Sequence, residues 1–371
     1  MSVTIKSSAD GLSASMYLGP DEVMTLKRGG VYIPGSISSP SAFGFKNKFI
    51  NGAMPIDQRK EGAVATVTGG AGYWSADRWT VQHPGASKST VQRVDAPVGM
   101  GGHAYALKIT ITASHTLTVA DAFWIQQIIE GYNTADLCLG TPNAQTFTDS
   151  FWVQSSVPGT YLATYANGAV DRSYTVPFTI TSANVPQKIE ITVPGCTTGT
   201  WDKTNGYGLR RYISLGSGPT YSGTAFNQWN IGSVYLTQPG FPNFAGTVGA
   251  TFYITGCQLE KGSYATEFEH RPHGIEKLLC LRYFFKSPPG AYYVFWSGTT
   301  TSGLGYYTLT TLPVEMRSTP SVAYIPVAAS GFPNIAGTSF GVTPNTVGEY
   351  RVANASSSSS FGSSVEVSAE L

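Results

Sequence analysis

Charge is scarce in this chain: Asp, Glu, Lys and Arg supply 12% of its 371 residues, about half the share usual in a globular protein. The balance is nearly even, with 23 Lys and Arg against 22 Asp and Glu, a net charge of +1. There is no run of basic residues either, so nothing steers the chain towards the phosphates of nucleic acid or an anionic membrane. No apolar run nears the roughly 20 residues of a membrane span. The opening MSVTIKSSADGLSASMYLGP lacks the apolar core of a signal peptide. Nucleic-acid binding and membrane insertion are not expected, and synthesis in a cytosol is. Cysteine is also sparse: Cys138, Cys196, Cys257 and Cys280 lie far apart with no C-x-x-C spacing. They read as free buried thiols, with no cofactor or metal assigned to them. Segments rich in Ala, Leu, Glu and Lys, which would hold a long helix, are nearly absent. No long-period repeat is present, which disfavours a solenoid, a propeller or a β-helix.

What the chain does have is 42 Gly, 21 Tyr and 18 Phe, with abundant Thr and Ser. β-Branched and aromatic side chains suit a pleated, half-buried surface, so the fold class is all-β. Residues 1–45 hold three short strand-like runs, SVTIKSS, ASMYL and VMTLKRGGVYIP, followed by a linker, PGSISSPSAFG. Such a piece has too little core to stand alone and reads as an attachment or oligomerisation segment. Residues 46–272 form the main body. Its strand candidates are ATVTG, RWTVQHP, AYALKITITAS, FWIQQIIEG, SFWVQSS, TYLATYAN, SYTVPFTIT, QKIEITVPG, LRRYISLG and TFYITGCQLE. With no helices between them, they predict an antiparallel sandwich. A single helical turn, capped by Asn133 or Thr134, is expected in NTADLCLG. In TFYITGCQLE, simple alternation puts Phe252 and Ile254 on one face and Tyr253, Cys257 and Leu259 on the other. Residues 273–286 read as a short helix and crossover, with IEKLLC as the helix. Residues 287–371 read as a small C-terminal β domain. There AYYVFWSGTTTSGLGYYTLTTL predicts a hairpin, NASSSSSFGSS a mobile loop, and VEVSAEL a final strand.

Several phrases carry a resemblance. They are FINGAMPIDQR (49–59), ADRW (76–79), IIEGYNTADLCLGTPNAQTFTDSFWVQSSVPGTY (128–161), TVPGCTTGTWDKTNGYGLRRYISLG (192–216), GATFYITGCQLEKGSYATEFEHRP (249–272) and the following EKLLCLRYF. Together they resemble a recurrent module of tailed-bacteriophage tail fibres and related virion proteins. That module is a jelly-roll sandwich similar to carbohydrate-binding modules and galactose-binding-like domains, and the resemblance covers residues 46–285. LPVEMRSTPSV (312–322) also resembles a phrase of the C-terminal β domains of such fibres. The resemblance implies a virion protein made in the host cytoplasm and displayed on the particle, trimeric, in contact with other tail or capsid proteins. It also implies a surface turned to a host glycan or receptor. A capsid or tail decoration protein without receptor binding is the alternative, and a polysaccharide depolymerase a third reading.

Candidate sites follow from side-chain chemistry. The stretch EFEHRPH offers His270 and His273 beside Glu267 and Glu269, but Pro272 between the histidines bars a regular helix across both. It reads as a polar crossover whose charges satisfy each other, and replacing both histidines by Gln is expected to leave folding and attachment intact. A structural calcium on Glu260 has no acidic cluster to support it. For catalysis there is no G-x-S-x-G elbow and no singled-out carboxylate pair. No enzyme is expected. Sugar recognition needs aromatic rings in polar loops. Trp201 and Tyr207, with Asp202 and Asn205, fill one glycine-flanked loop, and Phe226 and Trp229 a second. These six residues are the glycan-binding candidates. Trp79, Trp124 and Trp152 lie in strand-like runs and read as core.

Overall fold

The structure is a computed structural model that describes residues 3–7, 13–18, 21–27, 30–32, 45–232, 234–288, 290–333 and 338–371. Two compact units divide the chain, Met1–Lys46 and Asn47–Leu371. The first holds an antiparallel sheet of four strands in chain order, Val3–Ser7, Ser13–Leu18, Asp21–Lys27 and Gly30–Tyr32. The linker read at Pro34 to Gly44 lies outside the described residues.

The second unit begins with an antiparallel β-sandwich of jelly-roll type. One sheet has seven strands, ordered Trp229–Ile231, Arg172–Ile180, Gly159–Ala166, Tyr207–Ser217, Ala122–Glu130, Thr80–His83 and Gly70–Gly72. The other has six, ordered Gln187–Val193, Phe147–Ser155, Thr251–Lys261, Tyr105–Ile111, Ser89–Asp95 and Ala65–Thr66. Each of the ten runs read as a strand contributes one. Between the sheets lies a core built from alternate residues, among them Phe123, Ile125, Phe147, Phe151, Tyr161, Ile213 and Phe252. Trp79 is buried here as expected, whereas Trp152 is only half-buried. Trp124 belongs to a different cluster on the outer face of the seven-stranded sheet, with Tyr212 and Leu236. The segment around Leu236 crosses that face, fixed by Thr164 donating to the Tyr235 carbonyl and Ser214 to the Leu236 carbonyl.

Simple alternation fails in one strand of the core. Within Thr251–Lys261 the register slips opposite Phe151, so that Gly256 and Cys257 together face one partner residue. Gly256 has φ +60°, a left-handed conformation that glycine adopts without the steric cost of a Cβ. The extra residue resets the parity. Phe252, Ile254, Cys257 and Leu259 all enter the core, and Gln258 and Glu260 turn to the outer face.

The helical turn after Glu130 spans Gly131–Thr134 and passes into a tighter turn, Ala135–Leu137. Neither has a side-chain cap, so Asn133 and Thr134 do not serve as one. A nine-residue helix, His273–Leu281, follows Pro272, which supplies its N-cap. Beyond it two smaller sheets face each other. Ser358–Ser368 is central to the first, flanked by Phe284–Lys286 and Val294–Thr299 on one side and Ser321–Ser330 on the other. The second is Gly305–Thr311, Thr346–Val352 and Thr338–Ser339. Val294–Thr299 and Gly305–Thr311 therefore do not form the expected hairpin. The chain crosses between sheets instead, because Trp296 and Tyr306 pack on each other at 4.7 Å with Phe332 and Phe361 in the gap. The serine tract is strand from Ser358 onward, with Ser359 and Ser363 buried. Its hydroxyls find buried partners in Thr300 and Arg351. All four cysteines are free, and only Cys138 is partly exposed.

Candidate functional site

The two loops with aromatic candidates are built differently. Trp201 is 7% exposed and donates its indole N–H to the Thr198 carbonyl at 3.0 Å. It meets Trp229 edge-to-face at 5.6 Å. Trp229 in turn donates to the Pro194 carbonyl at 2.8 Å and packs on Tyr174 at 5.3 Å. Asp202 accepts from the Thr204 N–H at 2.7 Å, from its hydroxyl at 2.9 Å and from the Gly206 N–H. The Thr204 N–H above all holds the Asp202 carboxyl below the usual carboxylate range. Asn205 donates to the Arg317 carbonyl at 3.0 Å and its own carbonyl accepts from that arginine. Tyr207 is 38% exposed with the Arg210 guanidinium 4.5 Å from its ring centre. Phe226 meets Tyr235 at 6.5 Å. The fold thus joins Trp201 to Trp229, uses Asp202 and Asn205 to fasten their loop, and leaves Tyr207 partly exposed beneath the Arg210 guanidinium.

A pocket lies elsewhere, where the chain leaves the strand Thr251–Lys261. The outward Gln258 and Glu260 catch the chain as it turns back. Glu260 accepts from the Thr266 N–H and hydroxyl, and Gln258 accepts from the Glu269 N–H at 2.7 Å. Glu269 then accepts from the Asn47 N–H at 2.7 Å, and Arg271 donates to the Asn47 and Phe49 carbonyls. These bonds set Phe268 edge-on to His103 at 4.7 Å and to His270 at 5.0 Å. The result is a pocket of about 340 Å³ whose walls include Tyr105, His103, Phe268, His270, His273 and Arg271. Small residues keep it open: Gly52, Ala53, Gly102 and Ala104 also line it. At Gly52 a Cβ would fall 2.1 Å from the Cys257 carbonyl oxygen, so no other residue fits that wall.

The charges of the pocket are committed. Arg271 pairs with Glu269 at 3.3 Å and with Glu276 at 3.6 Å, and Glu276 also accepts from the Asn51 N–H. Burial, with His270 nearby, pulls the His103 imidazole down to about 4, so it is neutral at physiological pH. Its Nδ1 is buried and has no hydrogen-bond partner among the described residues. Among those residues no three His, Cys, Asp or Glu side chains are grouped to hold a metal ion. A cavity of this size falls within the usual range for small-ligand pockets. Aromatic faces, imidazoles that can donate or accept, and paired charges suit an uncharged, hydroxyl-rich ligand.

Sugar-binding and tailspike structures resemble the fold. The enzymatically active domain of tailspike protein 4 of bacteriophage CBA120 is 12% identical with a TM-score of 0.29, over 50% of this chain and 19% of that one. The match thus spans about a fifth of that tailspike domain. A Bacteroides thetaiotaomicron protein described as sugar-binding is 13% identical with a TM-score of 0.34, over 58% of this chain and 100% of that one. The family 11 carbohydrate-binding module of a Clostridium thermocellum cellulosomal cellulase is 10% identical with a TM-score of 0.27, over 55% and 97%. No family model matches the chain, and no curated protein matches it.

Sequence reasoning located EFEHRPH but not the pocket beside it. Its missing half is Gly102–Tyr105, more than 160 positions earlier, and only the fold brings the two together. Pro272 acts as anticipated, starting the helix at His273 and leaving His270 outside it. Of the charges read as satisfying each other, Arg271 pairs within the stretch, with Glu269 and Glu276, whereas Arg282 and Lys286 pair outside it, with Glu130 and Glu366.

Proposed function

We propose that this chain is a component of a tailed-phage particle, a tail fibre or similar appendage, that recognises a host-surface glycan without cleaving it. The phrases shared with fibre modules and the jelly-roll sandwich support the particle assignment. The pocket between Gly102–Tyr105 and Phe268–His273 carries the recognition reading. One uncharged sugar residue would set its apolar face against Phe268 or Tyr105 and its hydroxyls against His103, His270 and the paired carboxylates. Glu269 and Glu276 already hold backbone amides and Arg271, which favours fixed acceptors over a cycling acid and base. Weak sites of this kind gain strength when several copies engage one surface.

Titration of the full chain with host-surface polysaccharide fragments, followed by calorimetry, tests the reading. We expect saturable binding that Phe268→Ala weakens by about tenfold or more, the order of one lost aromatic contact. The pocket revises the expectation drawn from sequence for the double substitution of His270 and His273 by Gln: folding should still hold, with the melting temperature unchanged because both side chains are exposed at the rim, but glycan binding should weaken. Absence of binding, or variants that bind like the parent, would overturn the site. New reducing ends in the titrated polysaccharide would overturn the non-enzymatic reading.

A further inference from the structure

Asparagine followed directly by glycine occurs three times in the chain, at Asn51, Asn167 and Asn205. The pair is chemically labile, because glycine has no side chain to hinder its main-chain nitrogen from attacking the preceding carboxamide. The fold bars the simplest escape, a larger residue in place of the glycine. A Cβ would fall 2.1 Å from the Cys257 carbonyl oxygen at Gly52, 2.8 Å from the Tyr207 carbonyl oxygen at Gly168 and 2.5 Å from Asp202 Oδ2 at Gly206. Protection therefore has to come from the asparagine side.

Two of the three are locked. Asn51 is fully buried, its amide nitrogen donating to the Ile56 and Asp77 carbonyls at 2.8 Å and its oxygen accepting from the Ile56 N–H. Asn167 is fully buried too. It donates to Asp171 Oδ1 at 2.6 Å and to the Thr200 carbonyl at 3.0 Å, and accepts from the Asp171 and Arg172 N–H groups. Neither carboxamide can turn towards the next nitrogen without giving up several buried hydrogen bonds, so reaction there waits on local unfolding. Asn205 instead stands in an exposed bend. Its side chain has a single hydrogen bond among the described residues, to the Arg317 carbonyl at 3.0 Å. The Gly206 N–H faces the Asp202 carboxylate at 3.3 Å, an acceptor for the proton that this nitrogen must lose.

We propose that Asn205 is a site of spontaneous modification, converting to aspartate and isoaspartate as the protein ages. The Gly206 nitrogen bonds to Asn205 Cγ, and its proton passes to Asp202 and on to solvent. The bond from Cγ to the side-chain nitrogen breaks, and that nitrogen leaves as ammonia with a proton from water. Water then opens the cyclic imide. Opening at the former side-chain carbonyl gives Asp, and opening at the main-chain carbonyl gives isoaspartate, with Cβ added to the backbone. Either product takes the amide donor from the Arg317 carbonyl and sets a carboxylate against it. The Arg317 guanidinium donates to the Asn205 main-chain carbonyl at 2.8 Å and also to the Ala369 and Glu370 carbonyls. The change therefore falls on a tie between the sandwich and the C-terminal strand. It rests on neither the particle assignment nor the glycan reading.

Peptide mapping by mass spectrometry of the full chain, held folded in mildly alkaline buffer for increasing times, tests the proposal. We expect the peptide carrying Asn205 to gain the mass of amide-to-acid exchange and to separate into two isomers. Conversion there should run at least about tenfold faster than at Asn51 or Asn167, whose reaction needs buried structure to open. In the converted fraction, backbone hydrogen exchange over residues 202–206 should speed up. The substitution Asn205→Gln should abolish the mass gain, because the longer side chain closes its ring far more slowly. An Asn205 peptide that keeps its mass overturns the proposal, whether or not the variant folds. So do equal rates at the three sites, and so does a mass gain that survives in the same peptide of Asn205→Gln.

Discussion

Among single residues, Arg211 and Asp149 are the most consequential that composition hides. Both are fully buried in the sandwich core and bond at 2.9 Å, with Tyr165 donating to the same carboxylate oxygen at 2.9 Å. The guanidinium also lies 4.4 Å from the Phe151 ring centre. In the sequence Arg211 is the second arginine of LRRYISLG and Asp149 the acid of TFTDSFW. Alternation places both inward, against the ordinary rule that charge faces water. Nothing local marks the exception, because each is tolerable only through the other. A buried pair stabilises little relative to an apolar one, but removing one member strands the other. Asp149→Ala should therefore cost about 3–5 kcal/mol, read as a lower urea midpoint. The double change Asp149→Leu with Arg211→Met should recover most of that loss. If the single variant unfolds at the parent midpoint, the pair is not a structural fixture.

At the scale of elements, period-two alternation bounded by Gly, Pro and Asp made the sandwich strands legible. The errors fall where alternation is silent about partners. A run such as YYVFWSGTTTSGLGYYTLTTL has the pattern of a hairpin, yet its two strands serve opposite sheets because Trp296 and Tyr306 are shared filling. The serine tract reads as loop by composition, and becomes a strand because two neighbours pair with it. The bulge at Gly256 is the element on which the pocket turns. A Cβ there would sit 2.3 Å from His103 Nε2, and the backbone is left-handed with φ +60°. Gly256→Val should destabilise by roughly 2–3 kcal/mol through backbone strain and the clash, and it should displace His103 from the pocket. Thermal melting measures the first effect, and a shifted His103 ring resonance in NMR the second. An unmoved imidazole would mean the pocket wall is softer than the bulge geometry implies.

Across the whole second unit, the phrases that suggested a family converge on one seam between the sandwich and the C-terminal sheets. From FINGAMPIDQR, Gln58 donates to the Phe284 carbonyl at 2.9 Å and Arg59 lies 3.7 Å over the Phe284 ring. From ADRW, Arg78 pairs with Glu370 and lies 3.6 Å over the Tyr283 ring. From IIEGYN, Glu130 accepts from Arg282 at 2.6 and 3.0 Å and from the Tyr283 hydroxyl. The most recognisable residues are thus those that join parts, which is why they speak for architecture more clearly than for a ligand. The seam has a thermodynamic consequence. Arg78 is 1% exposed and Glu370 is its charge partner, also bonded to Arg59 at 3.1 Å. With that pair intact, neither the sandwich nor the C-terminal sheets can unfold without exposing the other's buried charge, and Asn47–Leu371 should melt in one calorimetric transition. Glu370→Ala leaves the Arg78 guanidinium buried without a counter-charge, held only by the Ile128 carbonyl and the Tyr283 ring, costing about 3–5 kcal/mol. Because that cost falls on the seam and not on the sandwich core, the C-terminal sheets should then melt first, as a separate transition at lower temperature. Two transitions in the parent protein, or a single unshifted one in the variant, would show that the seam does not couple the two.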